Sequence, residues 1–454
     1  MAGIGFALRR SLASDSYLGL LRAYAVAALI GSGPWLLSMG SMLFIGIYAE
    51  RLGQATDVVT QFLGTVTHIM ALSLIVAGLL QLLFVRFVAD RLFEGRRSEV
   101  SPNVVGALLV LTLGAAAVSG LEVALFLRVQ LRIQLLYCGA FVALSDVWLL
   151  AALMSGLKRY RSVLGAFGIG YAFIVTSALA LSRFGLAGYL TGFLLGHGLM
   201  LFGMLGLVLR EYPSQRLLAL DFLDRRQVHL ELVAVGGLFN LAVWADKFVF
   251  WGNPVTSTAL LGPVRYSIIY DVPIFVAYLS VVPGVAVFFV RIEADFAAAY
   301  ERYFAAVREG ETLSELHRLR DELVLSARAG LYDILRVQGI TVAVLLLLGA
   351  PVIAIFGIPG IYAYLFKVDV VGVGFQTFLL GVFTILFYLD YRRLVLELCA
   401  LFALSNTLLS LATQALGPRF YGFGFAVAAA LTAMLGLKAL SRRLDNLEYE
   451  TFMR

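Results

Sequence analysis

The chain has 454 residues, 61% hydrophobic and only 14% charged, a balance that excludes an ordinary water-soluble globular domain and an intrinsically disordered chain. Lys and Arg number 35 against 29 Asp and Glu, a formal net charge of +6. The basic residues fall in alternate short loops, which fits anionic lipid and excludes the need for a nucleic-acid partner. A bilayer span needs about 20 apolar residues, and twelve such stretches follow one another, so the fold class is an all-α polytopic membrane protein of about twelve transmembrane helices.

The opening MAGIGFALRRSLASDSYLGLLRAYA (1–25) is amphipathic and is expected to lie along the inner interface before the first span, 23–48. That apolar run is too long for a cleaved signal peptide and lacks a small-x-small cleavage pattern, so it is expected to remain in the mature protein. Its centre, IGSGPWLLS (30–38), carries Pro34, which has no N–H and crowds the carbonyl of Ile30. Gly31 and Gly33 permit bending there, and the three residues are predicted to form a mid-membrane hinge, kinked or locally unwound. Broken helices of this kind line cavities in transporters, which puts Trp35 on a candidate transport pathway.

Spans two to six are expected at 61–88, 103–127, 133–156, 162–182 and 186–209. His68 and His197 read as core histidines. Glu122 is expected to reach the headgroups. Asp146, in LSDVW, has no charged neighbour in sequence; an isolated acid in hydrocarbon needs water, a partner or a proton, so it is a second pathway candidate. Gly188, Gly192 and Gly196 form a small-residue series suited to close helix packing. Cys138 and Cys399 lie inside spans and read as apolar fillers rather than a disulfide or metal pair.

A polar connector, EYPSQRLLALDFLDRRQVHLE (211–231), divides the spans six and six. The expected organisation is an N-terminal lobe 1–210, a cytoplasmic connector 211–229, a C-terminal lobe 230–443 and a cytoplasmic tail 444–454. The seventh span, 230–252, contains NLAVWADKFVFWG, an adjacent acid and base that each cost about 2.5–3.5 kcal/mol at the bilayer centre on insertion scales. Helical spacing puts Asn240, Trp244, Lys247 and Trp251 on one stripe, about 100° from Asp246. The stripe is expected to face a water-filled cavity, with Asp246 turned toward a neighbouring helix; the alternative is a static ion pair that locks helices together. Trp251 also suits the interfacial aromatic belt.

The eighth span, 268–290, contains Pro273 and Pro283, either of which can bend it. Residues 291–336 are far longer than any other loop. Two amphipathic helices are predicted there, broken near Gly310, the second opened by the capping box TLSE (312–315). Its Leu313, Leu316, Leu319 and Leu323 recur at helical spacing, either to pack under the bundle or to dock a cytoplasmic partner. The last four spans are expected at 337–357, 370–390, 394–416 and 420–440, with Asp390, Arg392, Arg393 and Glu397 as an interfacial charge cluster.

Putting the N-terminus inside places 27 of the 35 basic residues in inner segments, seven in outer loops and Lys247 within a span. Both termini are therefore expected in the cytoplasm. No P-loop occurs, and no inner loop carries a compact acidic or histidine motif. An enzyme is disfavoured: no catalytic residue, cofactor or metal is expected.

The opening MAGIGFALR, the GSGPW interruption, twelve spans with cytoplasmic termini and the long inner segment after the eighth together make the chain resemble the PelG family along its whole length. That family consists of bacterial inner-membrane proteins for the Pel exopolysaccharide, within the multidrug/oligosaccharidyl-lipid/polysaccharide (MOP) exporter superfamily. The resemblance implies two six-helix lobes around a central cavity and movement of an N-acetylgalactosamine-rich polysaccharide across the inner membrane. It also implies a cytoplasmic glycosyltransferase and further membrane subunits, one responsive to cyclic-di-GMP, as partners. It supplies no functional residues, so the pathway set of Trp35, Asp146, Asn240, Trp244, Asp246 and Lys247 rests on the residues alone. Indole faces suit apolar sugar faces, and amide, acid and ammonium groups suit hydroxyls. Two other functions fit the same features: an ion-coupled multidrug exporter, and a scaffold holding the synthase at the membrane through 291–336. On the transport reading, replacing Lys247 or Asp146 by Ala lowers exported polymer at near-normal membrane abundance.

Overall fold

A computed structural model describes residues 17–51, 53–224, 229–262 and 264–453. The start of the expected interfacial helix, including MAGIGFALR, lies outside the described residues. Uninterrupted apolar sequence produces long helices because every backbone N–H must find its carbonyl partner within the segment when no water is at hand. In chain order they are α1 (Tyr17–Arg51), α2 (Thr56–Phe93), α3 (Val100–Phe126), α4 (Leu131–Gly156), α5 (Tyr160–Ala180) and α6 (Gly185–Glu211). There follow α7 (Leu230–Gly252), α8 (Ile268–Ala277), α9 (Val281–Val290), α10 (Ala297–Glu309), α11 (Leu313–Ile355), α12 (Ala363–Tyr388), α13 (Arg392–Leu416), α14 (Phe423–Asp445) and the short α15 (Leu447–Met453). Among the described residues, twelve helical segments are long and apolar enough to cross a membrane, each overlapping an expected span.

Two local outcomes differ from the sequence reading, at Pro34 and at the start of the ninth span. Pro34 does not interrupt α1, which runs helical on both sides of it. The eighth span does break: a single 3-10 turn at Tyr278–Ser280 separates α8, with Pro273 inside it, from α9, with Pro283 in its first turn. Beyond α9 a wide π-type turn, Arg291–Phe296, leads without interruption into α10. The break near Gly310 is present, with φ at +71°, a backbone conformation that favours glycine, and Thr312 caps α11 by accepting a hydrogen bond from the Glu315 N–H. No second break follows. The amphipathic helix and the ninth span form one helix of 43 residues, because LRVQGITVAV contains no stronger breaker than Gly339, whose cost is about 1 kcal/mol.

An antiparallel hairpin, β1 (Thr258–Leu261) with β2 (Val264–Tyr266), fills the α7–α8 connection. It is an addition to the all-α expectation. Gly262, at φ +56°, sits where a Cβ would come within 2.5 Å of the Phe126 carbonyl oxygen, which fixes the turn against the end of α3.

By contact the chain forms two compact units, each discontinuous in sequence. One comprises Gly33–Trp244 with Phe250–Ser267, its core filled by large aromatic residues including Phe62, Phe84, Tyr137, Phe141 and Phe193. The other comprises the described residues of Met1–Ser32, Ala245–Val249 and Ile268–Arg454. Helices α1 and α7 thus each contribute to both, and the changeover in α1 falls between Ser32 and Gly33, inside the expected hinge.

In the second unit α10 packs on the first turns of α11, and the leucine row is turned inward. Leu316 and Leu319 are buried and Leu323 is fully so; Leu313 alone is exposed. The expected docking row is corrected accordingly: three of its four members are core, because the apolar face of a short amphipathic pair closes on itself before it can meet a partner.

Candidate functional site

Each unit holds a buried polar cluster. In the unit containing Ala245–Val249, Asp246 is fully buried and Lys247 is 5% exposed. The Lys247 ammonium reaches back to both carboxylate oxygens of Asp246, at 3.1 and 3.2 Å. Tyr270 on α8 donates to the same carboxylate at 2.7 Å, and Asn406 on α13 donates at 3.3 Å. Ser410, one turn on, donates to the Asn406 carbonyl oxygen at 3.2 Å and so orients the amide. Lys247 Nζ also stands 5.2 Å from the Tyr278 ring and 5.3 Å from the Phe425 ring, within cation–π range.

Two sequence expectations are corrected here. Adjacent residues point 100° apart at Cβ, but the four-carbon lysine stem is long enough to fold its head onto the neighbouring acid. Lys247 therefore does not need a wet face; its charge is met by one carboxylate and two π-faces. Asp246 does turn to neighbouring helices, α8 and α13, as expected. The ion-pair alternative weighed for this pair describes its surroundings better than the hydrated one.

Asp369 on α12 belongs to this cluster and was missed. It is fully buried, neither carboxylate oxygen receives a hydrogen bond among the described residues, and it lies within electrostatic reach of Asp246 and Lys247. Gly422 leaves room for it: a Cβ there would stand 2.8 Å from Asp369 Oδ1. Gly422 caps the N-terminus of α14, whose dipole favours a negative charge. The expected tenth span began at 370, one residue too late to count this acid as intramembrane; α12 begins at Ala363.

In the other unit Asp146 is 3% exposed, accepts from Thr112 on α3 at 2.7 Å and has a second oxygen without a hydrogen bond among the described residues. Glu122 does not reach outward. It accepts from Tyr137 at 2.8 Å and lies 2.7 Å from His68 Nε2, so two polar partners inside the helix bundle hold it against the cost of a free carboxylate. The Trp251 ring packs 5.7 Å from His68, and Trp244 lies 6.1 Å from Trp251. Trp251 is buried, so it is not a belt residue. His197 is a core histidine, fully buried, bonded to the Phe193 carbonyl at 2.9 Å.

Asn240 is half-buried and donates to the Gly236 carbonyl at 2.9 Å. Trp35 and Trp244 are also half-buried. These three lie in the same unit as Asp146, whereas Asp246 and Lys247 lie in the other. Close backbone contact sets the position of Asn240: a Cβ on Gly236 would come within 2.0 Å of the Gly78 carbonyl oxygen, and one on Gly78 within 2.5 Å of the Asn240 amide. Gly31, of the expected hinge, leaves room for α9, since a Cβ there would meet Val285 at 2.4 Å and Phe289 at 2.5 Å.

A family model described as PelG, "Putative exopolysaccharide Exporter (EPS-E)", matches residues 1–452. No curated protein matches the chain. Among solved structures the fold is similar to a MOP superfamily transporter from Pyrococcus furiosus, described as having a binding pocket of reverse polarity that suggests a different function. The two are 14% identical over 93% of this chain and 96% of that one, with a TM-score of 0.64. It is similar also to a multidrug resistance MATE family transporter in an outward-facing conformation (15% identity, 93% and 96% covered, TM-score 0.62). An inward-facing conformation of such a transporter matches at 13% identity, with 93% and 95% covered and a TM-score of 0.59. The fold is that of the MATE-like MOP transporters.

Proposed function

Because the chain belongs to the PelG family and folds as a multi-pass MOP-type membrane transporter, we propose that it carries an exopolysaccharide, Pel-like and rich in N-acetylgalactosamine, across the bacterial inner membrane. The observation that carries this reading is the family match over nearly the whole chain. Outward- and inward-facing relatives support an alternation of the same kind, with the two compact units, rather than the contiguous lobes 1–210 and 230–443, as the moving bodies and Gly31, Gly33 and Pro34 as the hinge. The 27-to-7 bias of basic residues supports cytoplasmic termini. On this reading a cytoplasmic glycosyltransferase supplies the polymer and a cyclic-di-GMP-responsive membrane subunit governs the supply.

The half-buried Trp35, Asn240 and Trp244 keep the proposed role of sugar contacts, and Asp146 that of a polar group on the route. Asp246 and Lys247 take the other role: a lock that ties α7, α8 and α13 together. The lock also bears on the drug-exporter alternative. A carboxylate with aromatic rings around it is the chemistry that recognises an organic ammonium, but here the chain's own Lys247 occupies that position, which favours an uncharged saccharide over a cationic drug.

The test is reconstitution of the purified protein in vesicles with the synthase and sugar nucleotide outside. The proposed function requires polymer that resists an added glycosidase and appears only when this protein is present.

A further inference from the structure

Where α4, α5 and α6 end on one side of their unit there is a partly open cavity of about 360 Å³ that none of the transport chemistry uses. Its floor is apolar, formed by Met154, Leu157 and Val208, with the exposed Leu207 beside them. Its rim is polar, with Arg159, Ser162, Arg210 and Glu211. Arg159 is ion-paired with Glu211, while Arg210 is exposed and meets no acid among the described residues. The wall between floor and rim is the α4–α5 turn, where the Arg159 N–H bonds to the Met154 carbonyl at 2.8 Å and Lys158 adopts φ +59°. Glycine is the usual residue at that left-handed position after a helix, and a side chain there is strained. A lysine in that position adds a cation to the turn, and Arg161 follows two residues later. Arg159 and Arg210 line the cavity against the single acid Glu211, and Lys158 and Arg161 flank Arg159 along the same turn.

We propose that this cavity binds an anionic phospholipid. The depth fits: the spans of α4, α5 and α6 reach to Gly156, Tyr160 and Glu211, so the rim lies where apolar helix gives way to connector. The two-part lining fits an amphipathic ligand, with acyl carbons against Met154, Leu157, Leu207 and Val208 and the phosphate beside Arg210 and Arg159. Basic pockets between helices on the cytoplasmic side are a known mode of headgroup recognition. Glu211 tempers the site by competing for Arg159, so it is a negative element in lipid affinity.

Full-length protein, delipidated in detergent, is titrated with dioleoylphosphatidylglycerol, with dioleoylphosphatidylcholine and with inorganic phosphate, and lipid retention is read by native mass spectrometry. Phosphatidylglycerol is expected to bind more tightly than phosphatidylcholine. Arg210→Ala, which breaks no ion pair and so leaves folding intact, is expected to weaken phosphatidylglycerol about five-fold, the equivalent of about 1 kcal/mol for one cation beside an anionic headgroup. Arg159→Ala with Arg210→Ala weakens it further, and Glu211→Gln strengthens it. Equal retention of the two lipids, or unchanged retention in Arg210→Ala with an unaltered melting temperature, overturns the proposal. Displacement of the lipid by inorganic phosphate at equal concentration also overturns it, since the ligand is then a free anion.

Discussion

Lys247 is held by one carboxylate and two aromatic rings in surroundings where removing one partner of a charge pair leaves the other uncompensated. Lys247→Ala is therefore expected to destabilise the protein by about 3–5 kcal/mol, read as a lower unfolding midpoint in detergent and lower membrane abundance. Exchanging both partners, Asp246→Asn with Lys247→Met, is expected to recover most of that loss. A single variant as stable as the parent contradicts the lock. This revises the sequence-level expectation of near-normal abundance for the Lys247 change. Asp146 is a different case: its removal costs one hydrogen bond with Thr112, about 0.5–1.5 kcal/mol, so Asp146→Ala is expected at near-normal abundance with less exported polymer. Equal export at equal abundance removes Asp146 from the route. The sequence identified Asp146, Asp246 and Lys247 because charge stands out in an apolar run. It did not identify their partners, since Tyr270 and Asn406 lie 24 and 160 positions from Asp246 and nothing local marks them.

Helix α1 joins two demands in one stretch: Gly31 makes room for Val285 and Phe289, and Pro34 removes a backbone hydrogen bond three residues later. Gly31→Ala forces contacts that overpack the α1–α9 crossing and is expected to cost about 1–3 kcal/mol in a thermal melt. Pro34→Ala is expected to raise the melting temperature while lowering export, because the helix gains a bond and loses its weak point. A faster exporter with the same substitution contradicts the hinge. The insert separates packing from docking in the same way. Leu323→Glu buries a charge and is expected to unfold the α10–α11 pair. Leu313→Glu, at an exposed position, is expected to leave the melt unchanged, and co-purification of the glycosyltransferase reports whether that position meets a partner. Helix existence was legible throughout because twenty apolar residues have one solution in a bilayer. The inward turn of Leu316, Leu319 and Leu323 was not, since a leucine row looks the same whether α10 or a partner covers it.

At the scale of the chain, twelve spans and the likeness to the PelG family were both readable in the sequence, the first from run lengths and the second from MAGIGFALR, GSGPW, the span count and the long inner segment after the eighth span. The β1–β2 hairpin was not expected, although TSTALLGPVRY has β-branched residues on either side of a Gly-Pro pair; a short connector between long spans gives periodicity too little length to register. The discontinuous units were equally hidden, because α1 and α7 carry no break in apolarity where their contacts change from one unit to the other. The central claim is movement of polysaccharide through this protein, and reconstitution tests it most directly. Vesicles holding the protein, given synthase and sugar nucleotide on the outside, should accumulate glycosidase-resistant polymer, and vesicles with Trp244→Ala at equal protein content should accumulate less. Equal amounts of protected polymer in vesicles with and without the protein contradict it.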